Sequence, residues 1–227
     1  MERARPSGRR RAGRHPARPG GPHQRVLVRL GRLSPQWRGI RAVTVAAVLL
    51  AAGAGTRFGG DTHKLRAPFR GLTVVQHALG AALEAGLDAT YIVTGAVELR
   101  DLIPDGVVLV ENHSWELGQA TSLRAGVFTA ENDGHDAVVV GLGDQPLVGP
   151  ESWQTVAEAE GDLVTAVYRG RRSPPVKLGA AVWPLLPTSG DVGARMLMQM
   201  RPEQVAEVSC PGEPVDFDTL EDLQEWK

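Results

Sequence analysis

A glycine-rich segment followed by two basic residues carries the strongest chemical signal in this chain. Residues 51–56 read AAGAGT, and Arg57 and Lys64 follow them. Glycine allows positive φ, so successive backbone amides can face one point and form a concave binding site for an anion. A glycine-rich turn without a ligand is the alternative. Two cations at the far end of the loop suit a polyphosphate, so they favour a nucleoside triphosphate site.

The segment differs from two well-known phosphate-binding loops. The Walker pattern G-x-x-x-x-G-K-[S/T] occurs nowhere in the chain. The dinucleotide fingerprint G-x-G-x-x-G could begin at Gly53, but it needs a third glycine where the chain has Phe58. If the loop binds a nucleotide, it does so through neither of these two motifs.

An aspartate that follows a second apolar segment is well placed to bind a metal ion. Asp144 lies in GLGDQP, just after the apolar run AVVVGL at 137–142. Magnesium prefers one or two carboxylates together with phosphate oxygens and water. An Asx-type turn before Pro146 is the alternative, because aspartate commonly forms such turns. Asp144 is thus a candidate ligand of Mg²⁺, and forming the turn before Pro146 is its alternative role.

Two further aspartates stand near the C-terminus, in VDFDTLEDL. If this segment is extended, Asp216 and Asp218 point the same way. Asp218 also begins a D-T-L-E pattern, which is typical of a capping box at the start of a helix. The two roles are compatible, since a capping residue can present its carboxylate outward. We place Asp218 ahead of Asp216 as a second metal ligand.

Apolar runs alternate with amphipathic segments along the chain after residue 42. Continuous apolar runs are typical of strands buried on both faces of a parallel sheet, and their alternation with helices predicts an α/β fold. We expect a three-layer αβα architecture with a mostly parallel (mixed) sheet, in which ligands bind beyond the carboxyl ends of the strands. The predicted strands are 43–52, 89–93, 107–110, 137–142, 163–168, 176–178 and 205–208, and the predicted helices are 72–86, 96–102, 119–130, 152–160, 180–186, 194–200 and 219–226.

The glycine-rich segment also carries a family resemblance. LLAAGAGTRFGG-x3-K, at 49–64, resembles the signature L-x-[AG]-G-x-x-x-R-[FM]-G-x(n)-K of the MobA-like NTP-transferase family. Ala52, where a second glycine would read LAGG, is similar to the molybdenum cofactor cytidylyltransferase branch. The resemblance covers 43–227 and implies a Rossmann-like fold of the nucleotide-diphospho-sugar transferase type.

Downstream motifs extend this resemblance. The family has G-D-x-P where this chain has Asp144, and its closing motif D-[IF]-D-T completes a Mg²⁺ site. The family pattern N-x-x-W-x-x-G-x-x-x-S-L is matched from Asn112 onward, although Trp115 could simply be packed. Residues and resemblance together assign catalysis to Arg57, Lys64 and Asp144, metal binding to Asp144 and Asp218, and nucleotide binding to Leu50, Ala51, Ala52, Gly53, Ala54, Gly55, Thr56, Arg57, Lys64, Asn112, Gly118 and Ser122.

Three residues are candidates for binding an acceptor. Asp191 and Arg195 lie in a segment that resembles the G-D-x-G-A-R of the cytidylyltransferase branch, with a helix cap and a solvated arginine as the alternative. Arg172, together with its neighbour Arg171, could bind an acceptor phosphate or belong to a solvated loop. Relatives commonly have Asn or His where this chain has Pro174, and this departure leaves the identity of the acceptor open.

The resemblance implies CTP as donor, molybdopterin-bound molybdenum as acceptor and pyrophosphate as product. The acceptor would be a phosphate monoester, which is largely dianionic at pH 7 and needs no general base. A guanylyltransferase, or a nucleotidyltransferase acting on another small phosphate, is the alternative within the enzymes. A catalytically silent nucleotide-binding module is the alternative outside them. A molybdoenzyme or its chaperone would be a transient partner.

The first 42 residues differ in composition from the rest. They hold 12 of the 25 basic residues and 1 of the 26 acidic ones, so residues 43–227 carry 13 basic and 25 acidic side chains, a formal charge of −12. We expect 1–42 to be a disordered extension and 43–227 to be the NTP-transferase domain, with nucleic acid an unlikely partner. The absence of a signal peptide or an 18-residue apolar run predicts a cytoplasmic protein with no membrane partner.

Overall fold

The computed structural model of the protein describes residues 43–59 and 62–226. The predicted extension at 1–42 lies outside these residues. None of the described helices has the length and apolarity needed to cross a membrane. The strands are β1 (Val45–Ala51), β2 (Pro68–Phe69), β3 (Leu72–Thr73), β4 (Ala89–Thr94), β5 (Val108–Glu111), β6 (Ala137–Leu142), β7 (Leu163–Tyr168), β8 (Arg171–Gly179) and β9 (Ala206–Ser209), and the α-helices are α1 (Val74–Glu84), α2 (Gln119–Asn132), α3 (Pro150–Glu158), α4 (Gly193–Met200) and α5 (Leu220–Glu225).

Seven of the strands form one mixed sheet, in the order β5-β4-β1-β6-β8-β7-β9. β1 lies between β4 and β6 and is parallel to both, and β4 is parallel to β5. β8 runs antiparallel to β6 and β7, while β9 is parallel to β7. β2 and β3 form a separate hairpin. The mostly parallel sheet that the sequence predicts is confirmed.

Helices cover both faces of this sheet. Successive side chains of a strand point to opposite faces, and in β1 Ala47 and Leu49 enter the core shared with α1 and α3, whereas Ala46 and Val48 enter the core shared with α2 and α4. All four side chains are fully buried. This explains why β1 reads as an uninterrupted apolar run, and it confirms the three-layer αβα architecture.

Three predicted elements differ from the structure. The short strand predicted at 176–178 is part of the nine-residue β8, because its N-terminal half pairs with β7 across a register shift at Thr165/Ala166. The helix predicted at 96–102 is only a single 3₁₀ turn, Arg100–Leu102. The helix predicted at 180–186 is a 3₁₀ segment, Ala180–Leu185, that contains Pro184, whose ring is incompatible with the interior of an α-helix.

Two helical glycines make a matched test of the packing between α2 and the sheet. A Cβ at Gly126 would lie 2.5 Å from Val48 Cγ1 and 3.0 Å from Val93 Cγ2, whereas a Cβ at Gly80 in α1 would meet nothing within 4 Å. We expect Gly126→Ala to lower the free energy of unfolding by about 1–3 kcal/mol through overpacking. Gly80→Ala should raise it by up to about 1 kcal/mol, because alanine favours helix. Urea denaturation of both variants checks this; equal shifts would contradict the packing.

Candidate active site

The glycine-rich loop follows β1 at the carboxyl end of the sheet. Gly53, Thr56 and Arg57 are exposed, while Phe58 is buried and anchors the loop. Gly55 has φ +61°, and its carbonyl accepts a hydrogen bond from Phe58 N–H at 3.1 Å. The loop borders a cavity of about 480 Å³, whose lining includes Leu50, Ala51, Ala52, Gly53, Ala54, Gly55, Thr56, Arg57, Lys64, Asp144 and Asp218.

Lys64 joins two acids that are remote in the sequence. It begins a single 3₁₀ turn, Lys64–Arg66, and is only 9% exposed. Its ammonium Nζ lies 2.5 Å from Asp144 Oδ2 and 2.8 Å from Asp218 Oδ1. Burial opposes the charged form, but the Asp144 charge and the bonds to both carboxylates outweigh it and raise the pKa of Lys64. The lysine is therefore held as a cation at the rim of the loop.

Backbone contacts bring Asp144 to this point. It follows β6 through Gly143, whose N–H donates to the carbonyl of Leu50 at 2.8 Å. A Cβ at Gly143 would lie 3.1 Å from the Cβ of Ala51, so a larger residue would force the turn away from β1. The carbonyl of Asp144 accepts from Phe217 N–H at 2.9 Å, which ties the C-terminal segment to the same turn.

A small separate core positions the C-terminal acids. Phe217 is fully buried and packs edge-on against Phe69 at 5.0 Å between ring centroids. The same cluster contains Phe58 of the glycine-rich loop. The loop and the segment 216–218 are thus anchored by one set of side chains, which explains how they meet despite their separation in sequence.

Asp216 and Asp218 do not point the same way. Asp218 lines the cavity beside the glycine-rich loop and pairs with Arg57 Nη2 at 2.8 Å as well as with Lys64. Asp216 lines a second cavity, where Gln145 Nε2 donates to its Oδ1 at 2.9 Å. Burial, followed by the negative charge of Asp144, raises the pKa of Asp216. The carboxylates were expected to point the same way if the segment were extended, but it makes a tight turn instead, in which Asp218 N–H donates to Asp216 O at 3.1 Å.

The predicted cap at Asp218 was also wrong. The N-cap of α5 is Thr219, whose side chain accepts from Asp222 N–H, and Asp222 completes the capping box in return. Asp218 N–H itself donates to Asp222 Oδ2 at 3.0 Å. The carboxylate of Asp218 is therefore released from capping and is available to the cavity.

The two carboxylates suit a divalent cation. Asp144 and Asp218 already place one oxygen each within 2.8 Å of a single cationic nitrogen, so both can reach one ion. Magnesium needs only one or two carboxylates when phosphate oxygens supply the rest. Among residues 43–59 and 62–226, no group of three or more His, Cys, Asp or Glu forms an all-protein metal site. The donor set thus fits an ion shared with a phosphorylated ligand.

The comparison with known proteins decides the family. Residues 47–207 match the model of the MobA-like NTP transferase domain. The chain belongs to this family.

Relatives of this MobA-like domain carry different names. The nicotine blue oxidoreductase of Paenarthrobacter nicotinovorans is 33% identical over 197 residues, which cover 79% of this chain and 94% of that protein. A nucleotidyl transferase from Methanothermobacter has 26% identity and a TM-score of 0.67, covering 80% and 95% of the two chains. Rv0371c from Mycobacterium tuberculosis, solved in complex with manganese, has 27% identity and a TM-score of 0.68, covering 81% and 98%.

The loop between β5 and α2 supplies another wall of the MobA-like cleft. Gly118 and Ser122 line the cavity together with Trp115, which also packs on Gly95. Asn112 does not line it. Its Nδ2 donates to Thr121 Oγ1 and Ser122 Oγ, both at 2.9 Å, and its Oδ1 accepts from Ser114 N–H. Asn112, predicted to bind the nucleotide, is placed instead as a support for that wall.

A second cavity of about 900 Å³ adjoins the first, and Leu50, Gln119, Leu142 and Asp191 line both. Arg172, an acceptor candidate, is paired with Glu207. Arg171 and Arg195 also line this cavity, and no carboxylate among the described residues pairs with either.

Asp191 stands at the boundary between the two cavities. The cap predicted at this residue was wrong, because Val192 is the N-cap of α4. The loop at Gly190 is instead tied to the loop before α2: Gly190 N–H donates to Leu117 O at 2.8 Å, and Ala120 N–H donates to Gly190 O at 3.0 Å. A Cβ at Gly118 would lie 2.5 Å from the Gly190 carbonyl, so this close approach requires glycine.

Sequence reasoning missed several residues of the cleft. Glu116 and Gln119 line the first cavity, and Gln145 is almost fully buried beneath the second. His63, next to Lys64, bonds to the glycine-rich loop. Only His63 and Gln145 had a signal in the sequence, which was their position beside Lys64 and Asp144.

Proposed function

We propose that the protein is a Mg²⁺-dependent nucleotidyltransferase that transfers CMP from CTP to the phosphate of molybdenum-bound molybdopterin and releases pyrophosphate. One observation carries the proposal. A lysine and two aspartates, which lie 80 and 154 residues from it in sequence, meet at the rim of a glycine-rich loop that borders an open cavity. Family membership supports nucleotidyl transfer, and Ala52 favours CTP by resemblance.

In this proposal each residue of the cleft has a defined task. The loop 52–56, Arg57 and Lys64 bind the β- and γ-phosphates, and Asp144 and Asp218 hold the Mg²⁺. Bound there, the ion neutralises charge at the α-phosphate. Catalysis by positioning and electrostatics is sufficient for phosphoryl transfer, so no covalent nucleophile is needed. Lys64, now paired with both carboxylates, would turn to the phosphate oxygens of a bound nucleotide.

The second cavity is the proposed acceptor site. Its wall contains Leu123, Val140 and Met198, which suit a large organic body, and its rim contains Arg171 and Arg195, which suit an anion. Arg171 and Arg195 are the better candidates for binding an acceptor phosphate, because a phosphate would have to compete with Glu207 for Arg172. A phosphate monoester entering here is dianionic at neutral pH and attacks without a general base.

The decisive experiment measures pyrophosphate release by the purified protein with Mg²⁺. CTP is compared with GTP, each with and without molybdenum-bound molybdopterin. Acceptor-dependent release with CTP is the expected result, and preference for GTP would identify a guanylyltransferase instead. No release with either donor, despite nucleotide binding, would leave the silent nucleotide-binding module.

The relative named nicotine blue oxidoreductase makes oxidoreduction the second candidate function. Its identity of 33% and its coverage of nearly the whole domain are the observations that favour it. Oxidation of NADH or NADPH by the protein in the presence of an organic acceptor, followed by absorbance, tests this candidate. Turnover there without pyrophosphate release would replace nucleotidyl transfer as the proposal.

Substituting Phe217 should reduce activity more than substituting Phe69, although the two changes should cost similar amounts of stability. Phe217→Leu loosens the segment that carries Asp218, and a misplaced group can reduce turnover about tenfold or more. Phe69→Leu removes the ring on the other side of the same contact but flanks no acid. We expect both variants to lose about 1–2 kcal/mol of unfolding free energy. Pyrophosphate release and urea denaturation compare them, and equal activity would contradict the positioning role of Phe217.

The proposal also covers the N-terminal extension at 1–42, the cellular location of the enzyme and its partner proteins. We place the enzyme in the cytoplasm, where it would pass its product to a molybdoenzyme or its chaperone. Residues 1–42 are proposed to be dispensable for turnover. Deleting them should leave pyrophosphate release unchanged, while any binding of nucleic acid by the full chain should be lost.

A further inference from the structure

His63 stands immediately before Lys64, and its ring bonds both to the glycine-rich loop and to the 3₁₀ turn that begins at Lys64. Its Nε2 lies 3.0 Å from the carbonyl oxygen of Gly53. Its Nδ1 accepts a hydrogen bond from Leu65 N–H at 3.2 Å, so the same side chain caps the 3₁₀ turn that carries Lys64. Only the neutral ring with its proton on Nε2 satisfies both bonds at once.

The surroundings of His63 favour this neutral form. Burial, followed by the positive charge of Lys64, lowers its pKa, although hydrogen bonds to the Gly53 and Ala54 carbonyls oppose this. The imidazole therefore stays uncharged at neutral pH. It also packs directly under the loop, because a Cβ at Gly55 would lie 3.0 Å from Nε2. Glycine at residue 55 thus allows both the close approach of this ring and the positive φ of the loop.

Few contacts fasten the exposed part of the loop. At its start, Ala96 N–H donates to Ala52 O at 3.0 Å; within it, Phe58 N–H donates to Gly55 O at 3.1 Å; and at its end Arg57 pairs with Asp218 and Phe58 is buried. Among the described residues, His63 is the one side chain that bonds to the backbone of 53–56. A loop with so few contacts would otherwise sample many conformations, and ordering it on binding would weaken affinity for a ligand.

We propose that His63 is a positioning residue that holds the glycine-rich loop in the conformation that binds a polyphosphate, and that it links this loop to the turn of Lys64. The proposal rests on the proposed function, since it assumes that the loop binds the triphosphate of the nucleotide. His63 would act by ordering the loop before the nucleotide binds. Replacing His63 should therefore weaken nucleotide affinity and raise KM rather than lower kcat.

Two substitutions separate the bonds of His63. Asn caps a helix turn well, so His63→Asn keeps the bond to Leu65 N–H but is too short to reach Gly53 O. His63→Gln is longer and can donate an amide N–H to Gly53 O, which makes it the conservative variant. His77, whose Nε2 lies 2.8 Å from Phe69 O outside the cleft, supplies the matched control His77→Asn.

The first measurement is hydrogen exchange of the Phe58 amide, which donates to Gly55 O within the loop, without any nucleotide. We expect about tenfold faster exchange in His63→Asn, the equivalent of one hydrogen bond, with recovery in His63→Gln and no change in His77→Asn. Unchanged exchange in His63→Asn would overturn the proposal. This readout does not depend on the activity of the enzyme.

The second measurement is calorimetric binding of sodium tripolyphosphate with Mg²⁺, followed by kinetics with CTP. We expect binding to weaken about tenfold in His63→Asn, with KM raised by the same factor and kcat within about threefold of the wild type. A fall in kcat at unchanged KM would overturn the positioning role. If the wild type itself binds no tripolyphosphate, the proposed function fails, and the exchange result still decides whether His63 holds the loop.

Discussion

Asp144→Asn is expected to reduce the rate of pyrophosphate release by about 100- to 1,000-fold while leaving the fold intact. The amide keeps the shape of the side chain but removes the charge that would bind the metal ion. Backbone bonds, which the substitution does not touch, hold the turn at residue 144. The loss should therefore appear in turnover and in Mn²⁺ affinity, both measured on the purified variant.

An aspartate outside the proposed site provides the control. Asp105 lies exposed in the turn before β5, far in sequence from the loop and from both acids. Asp105→Asn should leave turnover and Mn²⁺ affinity unchanged. If Asp144→Asn retained the full rate under saturating Mg²⁺, Asp144 would have no place in the metal site, and the mechanism proposed above would be wrong.

Lys64→Met is expected to abolish most activity and to make the stability of the protein depend on divalent metal. Without the ammonium, Asp144 loses its cation, and Asp218 keeps only the exposed Arg57 as a partner, so the two carboxylates face each other with less positive charge beside them. In EDTA the variant should lose about 2 kcal/mol of unfolding free energy, less than a fully buried pair because both carboxylates are about one-fifth exposed. Mg²⁺ should restore much of this, since an ion that binds only the folded state stabilises it.

The wild type should gain less from Mg²⁺ than the variant does. In the wild type the ion must displace Lys64 from the carboxylates, whereas in Lys64→Met the site is vacated. Urea denaturation in EDTA and in Mg²⁺ gives all four free energies. A smaller gain from Mg²⁺ in the variant than in the wild type would show that lysine and metal do not compete for these acids.

Lys177 makes the matched control for this lysine-to-methionine change. Its Nζ donates to the carbonyls of Ala157 and Ala159, at 3.0 and 2.7 Å, at the end of α3. Cations stabilise helix C-termini, so Lys177→Met should lower stability by about 1 kcal/mol. No carboxylate among the described residues forms an ion pair with Lys177, and Asp162 acts on it only at longer range. The loss should therefore be the same in EDTA and in Mg²⁺.

The sequence alone determined the sheet and the loop, and it narrowed the acids to Asp144, Asp216 and Asp218. β1 and β6 are continuous apolar runs, and that pattern is typical of a short strand that is buried on both faces. The glycines of 53–55 and the cations that follow are local features, because the chemistry of an anion-binding loop needs its residue types next to one another. Arg57, Lys64, Asp144 and Asp218, which the sequence predicts to be site residues, lie beside one another in the structure, while their roles in catalysis and metal binding stay predictions.

The tertiary structure decided which of the predicted residues face the cleft and which support its wall or pair with other side chains. Asp218 rather than Asp216 faces the loop because Phe217 is buried between them, and Asn112 supports the cleft wall because Thr121 and Ser122 occupy its amide. Arg172 is neutralised by Glu207, a residue on another strand. Such pairings join segments that are far apart in the chain. Local periodicity and composition contain no information about them, since only the packing of the layers brings those side chains into contact.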